Sequence, residues 1–123
     1  MINFKDKIYD ELLRVTQNVS DLYPGNWEQL PAIQYTEEAN NVTLKTDDAE
    51  QRVYLSYRID IYDRGSTSLT AVAVDEVISP LGLVRTLCED SPAPDPAGYR
   101  HKVMRYEGIY DIENDMMCWD GAR

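Results

Sequence analysis

Along the first two dozen positions the apolar residues Phe4, Ile8, Leu12, Val15, Val19 and Leu22 recur at intervals of three or four. That spacing is one stripe of an α-helix. Asn3 is placed to cap it, Asp6 and Asp10 suit its positive end, and Tyr23-Pro24-Gly25-Asn26 stops it. In the connector that follows, Trp27 is expected to close over a core edge rather than to hold a ligand. Ile33, Tyr35 and Thr36 predict a short strand over 32–36, Glu37 to Asn41 a turn, and Val42 to Lys45 a second short strand. From Arg52 to Tyr62 the alternation is regular: Val53, Leu55, Tyr57, Ile59 and Ile61 fall on one side, Tyr54, Ser56, Arg58, Asp60 and Tyr62 on the other. This strand has one core face and one face suited to solvent or a polar partner.

Asp63-Arg64-Gly65 ends that strand, and Ser66 or Ser68 can cap a helix with an apolar stripe of Leu69, Val72, Ala73, Val77 and Ile78. Its β-branched residues weaken a helix, but the 3.6-residue spacing with Asp75 and Glu76 outward favours one. Pro80 and Gly82 stop it. Leu83 to Cys88 reads as a strand, and the three prolines between Ser91 and Gly98 make that stretch a loop. Tyr99 to Ile112 predicts a last long strand, with Gly108 as a bend, and residues 114–123 a tail or short extra strand. The chain is thus expected to be a single α+β domain over 1–123, with a mostly antiparallel sheet of about four to five strands packed by two helices. No repeat, low-complexity segment or linker divides it.

Composition narrows the chemistry. The 123 residues suit one compact domain, and twelve Lys and Arg against twenty-two Asp and Glu leave a net charge of −10. Such a surface repels DNA phosphates instead of neutralising them. No apolar run is long enough to cross a bilayer, and the opening Met1-Ile2-Asn3-Phe4-Lys5-Asp6 does not resemble a signal peptide. Cys88 and Cys118 have neither CxxC nor His/Cys spacing, so both are expected to be free thiols in a reducing compartment. His101, the single histidine, lies in a Tyr99-Arg100-His101-Lys102 run at a strand start, where a structural role is far commoner than that of a catalytic base. The acidic clusters do not follow a calcium loop, and the six scattered glycines form no phosphate cradle. No catalytic, cofactor-binding or metal-binding set is expected, and the chain is not read as an enzyme. Tyrosine dominates the aromatics; Tyr35, Tyr57 and Tyr106 could fill the core with their hydroxyls at its rim, or the tyrosines could serve an interface.

The order of pieces carries a resemblance. An amino-terminal helix is followed by Leu30-Pro31-Ala32-Ile33-Gln34-Tyr35, an Asn40-Asn41 turn and Tyr57-Arg58-Ile59-Asp60-Ile61-Tyr62. A capped helix ending near Leu81-Gly82-Leu83 then leads to His101-Lys102-Val103-Met104-Arg105-Tyr106. Over roughly residues 1 to 112 this resembles the tail-terminator and tail-completion (head-tail joining) proteins of tailed bacteriophages. The resemblance implies a structural virion protein, made in the host bacterial cytoplasm, that closes into a hexameric ring on the tail tube, ends tube growth and allows head attachment. Its implied partners are other copies of itself, the tail tube protein and a neck or head-completion protein. DNA would only pass through, and no membrane is involved. An acidic lining would let DNA slide, and Asp47, Asp48 and Glu50 are the candidate lumen groups. Ring closure needs two different patches on each subunit. The candidates are Tyr54, Arg58, Asp60 and Tyr62 on the long strand and Arg100, Lys102 and Arg105 on the last one, unless these charges pair within the chain. A neck or head-completion connector is the alternative, and a non-viral small-ligand-binding α+β domain a more distant one.

Overall fold

The computed structural model describes residues 1–46, 49–91 and 98–118. The elements are α1 (Lys5–Leu12), β1 (Val19–Ser20), β2 (Ala32–Thr46), β3 (Ala49–Asp63), α2 (Thr67–Ile78), β4 (Val84–Asp90), β5 (Arg100–Asp111) and β6 (Met116–Met117). The strands form one six-stranded sheet in the order β1-β2-β3-β5-β4, with β6 added to β5. All pairings are antiparallel except β1 with β2. The chain is therefore α+β with two helices, and the expected sheet gains its extra strands from the two-residue β1 and β6.

The core lies on one side of the sheet. Val53, Leu55, Tyr57, Ile59 and Ile61 of β3 are wholly buried there, against Phe4, Ile8 and Leu12 from the start of the chain and Ala71, Val74 and Ile78 of α2. Tyr35, Met104, Tyr106 and Tyr110 complete it from β2 and β5. Strand alternation dictates this division, because residues two apart face the same side. The tyrosines fill the core with hydroxyls at its rim: Tyr57 Oη donates to Glu37 at 2.8 Å and Tyr106 Oη to Asp75 at 2.8 Å.

Several expectations are corrected. The first helix ends at Leu12, while Val19 belongs to β1 and Leu22 is 71% exposed. Polar side chains after it take up backbone groups and compete with further helix. Thr16 Oγ1 donates to the Pro31 carbonyl at 2.9 Å, and Asn18 Nδ2 donates to the carbonyls of Asn26 and Gln29. The capping position is Phe4, which makes no side-chain cap; Asn3 helps from one residue earlier, accepting from the Asp6 N–H at 3.4 Å. Glu37 to Asn41 is no turn: β2 runs straight through it, paired with Tyr57 to Tyr54 of β3, and a bulge between Glu37 and Ala39 absorbs the irregularity. Pairing along a long partner strand overrides local turn preference.

The second helix begins where expected, with Ser66 accepting from the Ser68 N–H at 3.2 Å, but shows a different face. Thr67, Thr70, Ala71, Val74 and Ile78 are buried, whereas Leu69 and Val72 point outward. The helix is apolar nearly all round, so periodicity alone does not choose its buried side. β5 runs through Gly108 without a register shift, pairing it with Leu55. A Cβ there would meet Leu83 Cδ2 at 3.0 Å and Met117 Sδ at 3.1 Å, so the glycine permits close packing of the strand against its neighbours.

Helix α2 provides a direct check on this packing. Ile78→Ala should cost about 2–5 kcal/mol and Leu69→Ala at most about 0.5 kcal/mol. Urea unfolding followed by circular dichroism measures both, and equal losses would contradict the assigned face.

Candidate functional site

The side of the sheet away from the helices carries the polar residues singled out from the sequence. The ladder sets Tyr62 opposite His101, Asp60 opposite Val103, Arg58 opposite Arg105, Ser56 opposite Glu107 and Tyr54 opposite Ile109. Tyr54, Arg58, Asp60, Tyr62 and Arg105 thus share one face. Lys102 has the opposite parity and lies on the helix side, tied to Asp90 at 3.0 Å. Arg100 is exposed at the end of the sheet, opposite Asp63 in register. The basic cluster of the last strand is therefore divided by strand alternation.

Two arginines directly opposite each other would repel. Each turns to a carboxylate instead. Arg105 grips Glu38 with both ends of its fork, Nε donating to Oε1 at 2.7 Å and Nη2 to Oε2 at 3.3 Å. Glu38 has the parity of Thr36, which stands opposite Arg58, and so lies on the same face, at the β2 bulge between Glu37 and Ala39. The hydrogen bond from Arg105 holds the Glu38 carboxyl below its usual range, and the same bond raises the guanidinium. Arg58 Nε donates to Asp60 Oδ1 at 3.1 Å, and His101 Nε2 lies 2.9 Å from the same oxygen. Asp60 is only 4% exposed, so these two partners offset the loss of water around its charge.

An aromatic cover closes the lower end of this face. His101 stacks on Tyr62 at 4.3 Å between ring centroids, Trp27 meets Tyr62 edge-on at 5.4 Å, and Tyr99 lies 4.4 Å from Trp27. Arg64 completes it, its guanidinium 4.9 Å from the Tyr99 ring. Trp27 packs on Tyr23, Tyr62 and Tyr99 on the polar side and not over an edge of the core as expected, and His101 is a hydrogen-bonded, stacked residue. At the other end Tyr54 donates to Glu107. Burial, and then this bond, raise the Tyr54 phenol above its ordinary range.

Among the described residues no group of His, Cys, Asp and Glu is arranged to hold a metal ion. Both cysteines are exposed free thiols. Of the candidate lumen residues, Asp47 and Asp48 lie outside the described residues, as does the side chain of Glu50, whose backbone pairs with Lys45 in the β2–β3 hairpin. The chemistry of the face is that of a tied polar surface: its central cations are already engaged. Sequence reasoning did not find the groove between α2 and β4, lined by Ala71, Val72, Asp75, Arg85, Cys88 and Met104. Its signal was present in the apolar residues that encircle α2, which exceed what one buried face can use.

The core phenols give a pH test. Burial first, and then the bond to a carboxylate, push Tyr57 and Tyr106 above the ordinary phenol value of 10.0. The folded chain then keeps protons that the unfolded chain releases, so the stability is whole below that pH and falls as pH rises through it. Tyr57→Phe should flatten the alkaline slope by about 1.4 kcal/mol per pH unit. Urea midpoints from neutral to alkaline pH measure the slope, and an unchanged slope would show that Tyr57 ionises normally in the fold. Among known proteins, no family model and no curated protein matches this chain.

Proposed function

We propose that this protein is a structural component of the head-tail junction of a tailed bacteriophage, which caps the tail tube as a ring, ends its growth and allows the head to attach. The reading starts from the order of pieces described above, less the Asn40-Asn41 turn, which the fold replaces by continuous β2, and one observation on the polar face carries it further. Arg58 and Arg105, at the centre of that face, are each spent on a carboxylate of the same chain. A phosphate backbone passing such a surface finds neither cation free to hold it, and the net charge of −10 adds repulsion. DNA can thus move past without counterion release trapping it.

The β2–β3 hairpin supports the same reading. β5 pairs with β3 only as far as Arg52, so the hairpin continues beyond it as a two-stranded arm. Glu50 lies on that arm through its backbone pairing with Lys45, and Asp47, Asp48 and Glu50 are the proposed lumen groups. The proposed partners are further copies of the chain, the tail tube protein and a neck protein, in the virion. Catalysis has no part in this function, and His101 serves to hold Asp60 and Tyr62.

Electron microscopy of particles made when the gene is disabled in its parent genome tests the proposal. Overlong or headless tails are expected. Tails of normal length beside unjoined, leaking heads would move the protein to the neck, and intact infectious particles would overturn the junction reading. Complementation with His101→Gln should restore normal particles; failure of this variant, with its fold intact, would give the histidine a role beyond holding the sheet.

A further inference from the structure

Among the described residues no strand covers most of either lateral edge of the sheet. On one side β1 covers only Ile33 and Gln34 of β2, leaving the outer backbone of Tyr35 to Thr46 without a neighbouring strand among the described residues. On the other side β4 ends the sheet order. Rows of unpaired N–H and C=O groups are templates for another strand. Exposed apolar side chains accompany each edge: Val72 of α2, 58% exposed, in the groove with Arg85 and Cys88 of β4, and Val42 and Leu44, each 43% exposed, on β2. Between α2 and β4 runs the groove floored by Ala71 and Met104, about 460 Å³ in volume.

We propose that the β4 edge and the outward side of α2 receive the β2 edge of a second copy of this chain, head to tail. The first support is direction. β2, β3, β5 and β4 are successively antiparallel, so the outer strands β2 and β4 run oppositely. A copy related by simple rotation therefore brings its β2 antiparallel to β4, and repetition of that contact closes a ring.

The second support is charge. Arg85 pairs with Tyr106, Tyr106 with Tyr57, and Tyr57 with Glu37, so Arg85 and Glu37 stand at one height on opposite edges. Both lie on the helix side, where Tyr57 and Tyr106 are buried. A neighbour seated at that level sets its Glu37, which also accepts from its own Tyr57 at 2.8 Å, against Arg85, whose side chain is 47% exposed and holds Asp75 by one contact at 3.3 Å, so the contact is a shared charge network and not a pair of free charges. The helix side of the neighbour's β2 then borders Val72 and the groove. A symmetric β4-to-β4 contact would instead leave the β2 edge, with Val42 and Leu44, uncovered.

This inference rests on the ring reading, and it moves the subunit contact from the face of Arg58 and Arg105 to the edges of the sheet. Sedimentation velocity over a concentration series tests it with wild type, Arg85→Glu, Glu37→Arg and Val72→Lys. Wild type should associate, and each single variant should weaken association at least about tenfold. Mixing the Arg85→Glu and Glu37→Arg chains should restore it, because every edge in an alternating ring then meets an opposite charge. Circular dichroism reports folding, and Val72→Lys alters only an outward helix position, so its loss of association is not unfolding. Association untouched by all three variants would overturn the edge contact while leaving a ring in place. Loss in both charge variants without recovery on mixing would overturn the Arg85 to Glu37 pairing, and a wild type monomeric at every concentration would overturn self-docking altogether. The gene-disruption phenotype judges the junction reading separately.

Discussion

The central strand β3 is the constraint on which the rest of the molecule depends. Its odd-numbered residues from Val53 to Ile61 are wholly buried against the helices, and both its edges are bonded, to β2 and to β5. A slip of one residue would exchange Val53, Leu55, Tyr57, Ile59 and Ile61 for Tyr54, Ser56, Arg58, Asp60 and Tyr62 on the core side. That would bury an arginine and an aspartate under α1 and α2 and turn a row of aliphatic groups to water. The register is therefore fixed strongly, and it fixes in turn which charges on the neighbouring strands can meet.

The polar face follows from that register. Once Arg58 stands opposite Arg105, the two guanidiniums need separate carboxylates, and the structure supplies Asp60 from the same strand and Glu38 from a bulge. Breaking either pair leaves a charge with less compensation, most severely at Asp60, which is nearly out of water. The Arg105–Glu38 pair, each side chain about one-third exposed, is weaker in stability but bidentate in geometry. Among the described residues, the outer backbone of β2 and β4 lacks a neighbouring strand over most of its length, and Leu69 and Val72 of α2 face outward.

Helix α2 joins these two sides of the molecule. Its buried face seals the core through Val74 and Ile78, and its Asp75 accepts from Tyr106 and Ser79 and pairs with Arg85 at 3.3 Å. One carboxylate thus links the core phenol, the end of the helix and the edge strand. The same helix leaves Leu69 and Val72 outward, Val72 in the groove it shares with β4, so core packing and a candidate contact surface are set by one element.

The sequence by itself determined the elements whose patterning is one-sided. The regular alternation of β3 announced both its core face and its polar face, Ser66 and Ser68 marked the start of α2 to within two residues, and the two helices with a largely antiparallel sheet announced the α+β class. Only the tertiary structure decided the rest. Glu37 to Asn41 is polar enough to read as a turn, yet a long partner strand satisfies its backbone, and α2 has apolar residues on more sides than one core can cover. The first helix stops early because Thr16 and Asn18 find backbone partners near Pro31 and Asn26, which are distant in sequence. The division of Arg100, Lys102 and Arg105 between two locations, and the carboxylates that hold two of them, required the register between strands. Local patterns fix what each segment prefers, whereas non-local pairing decides which preference is satisfied.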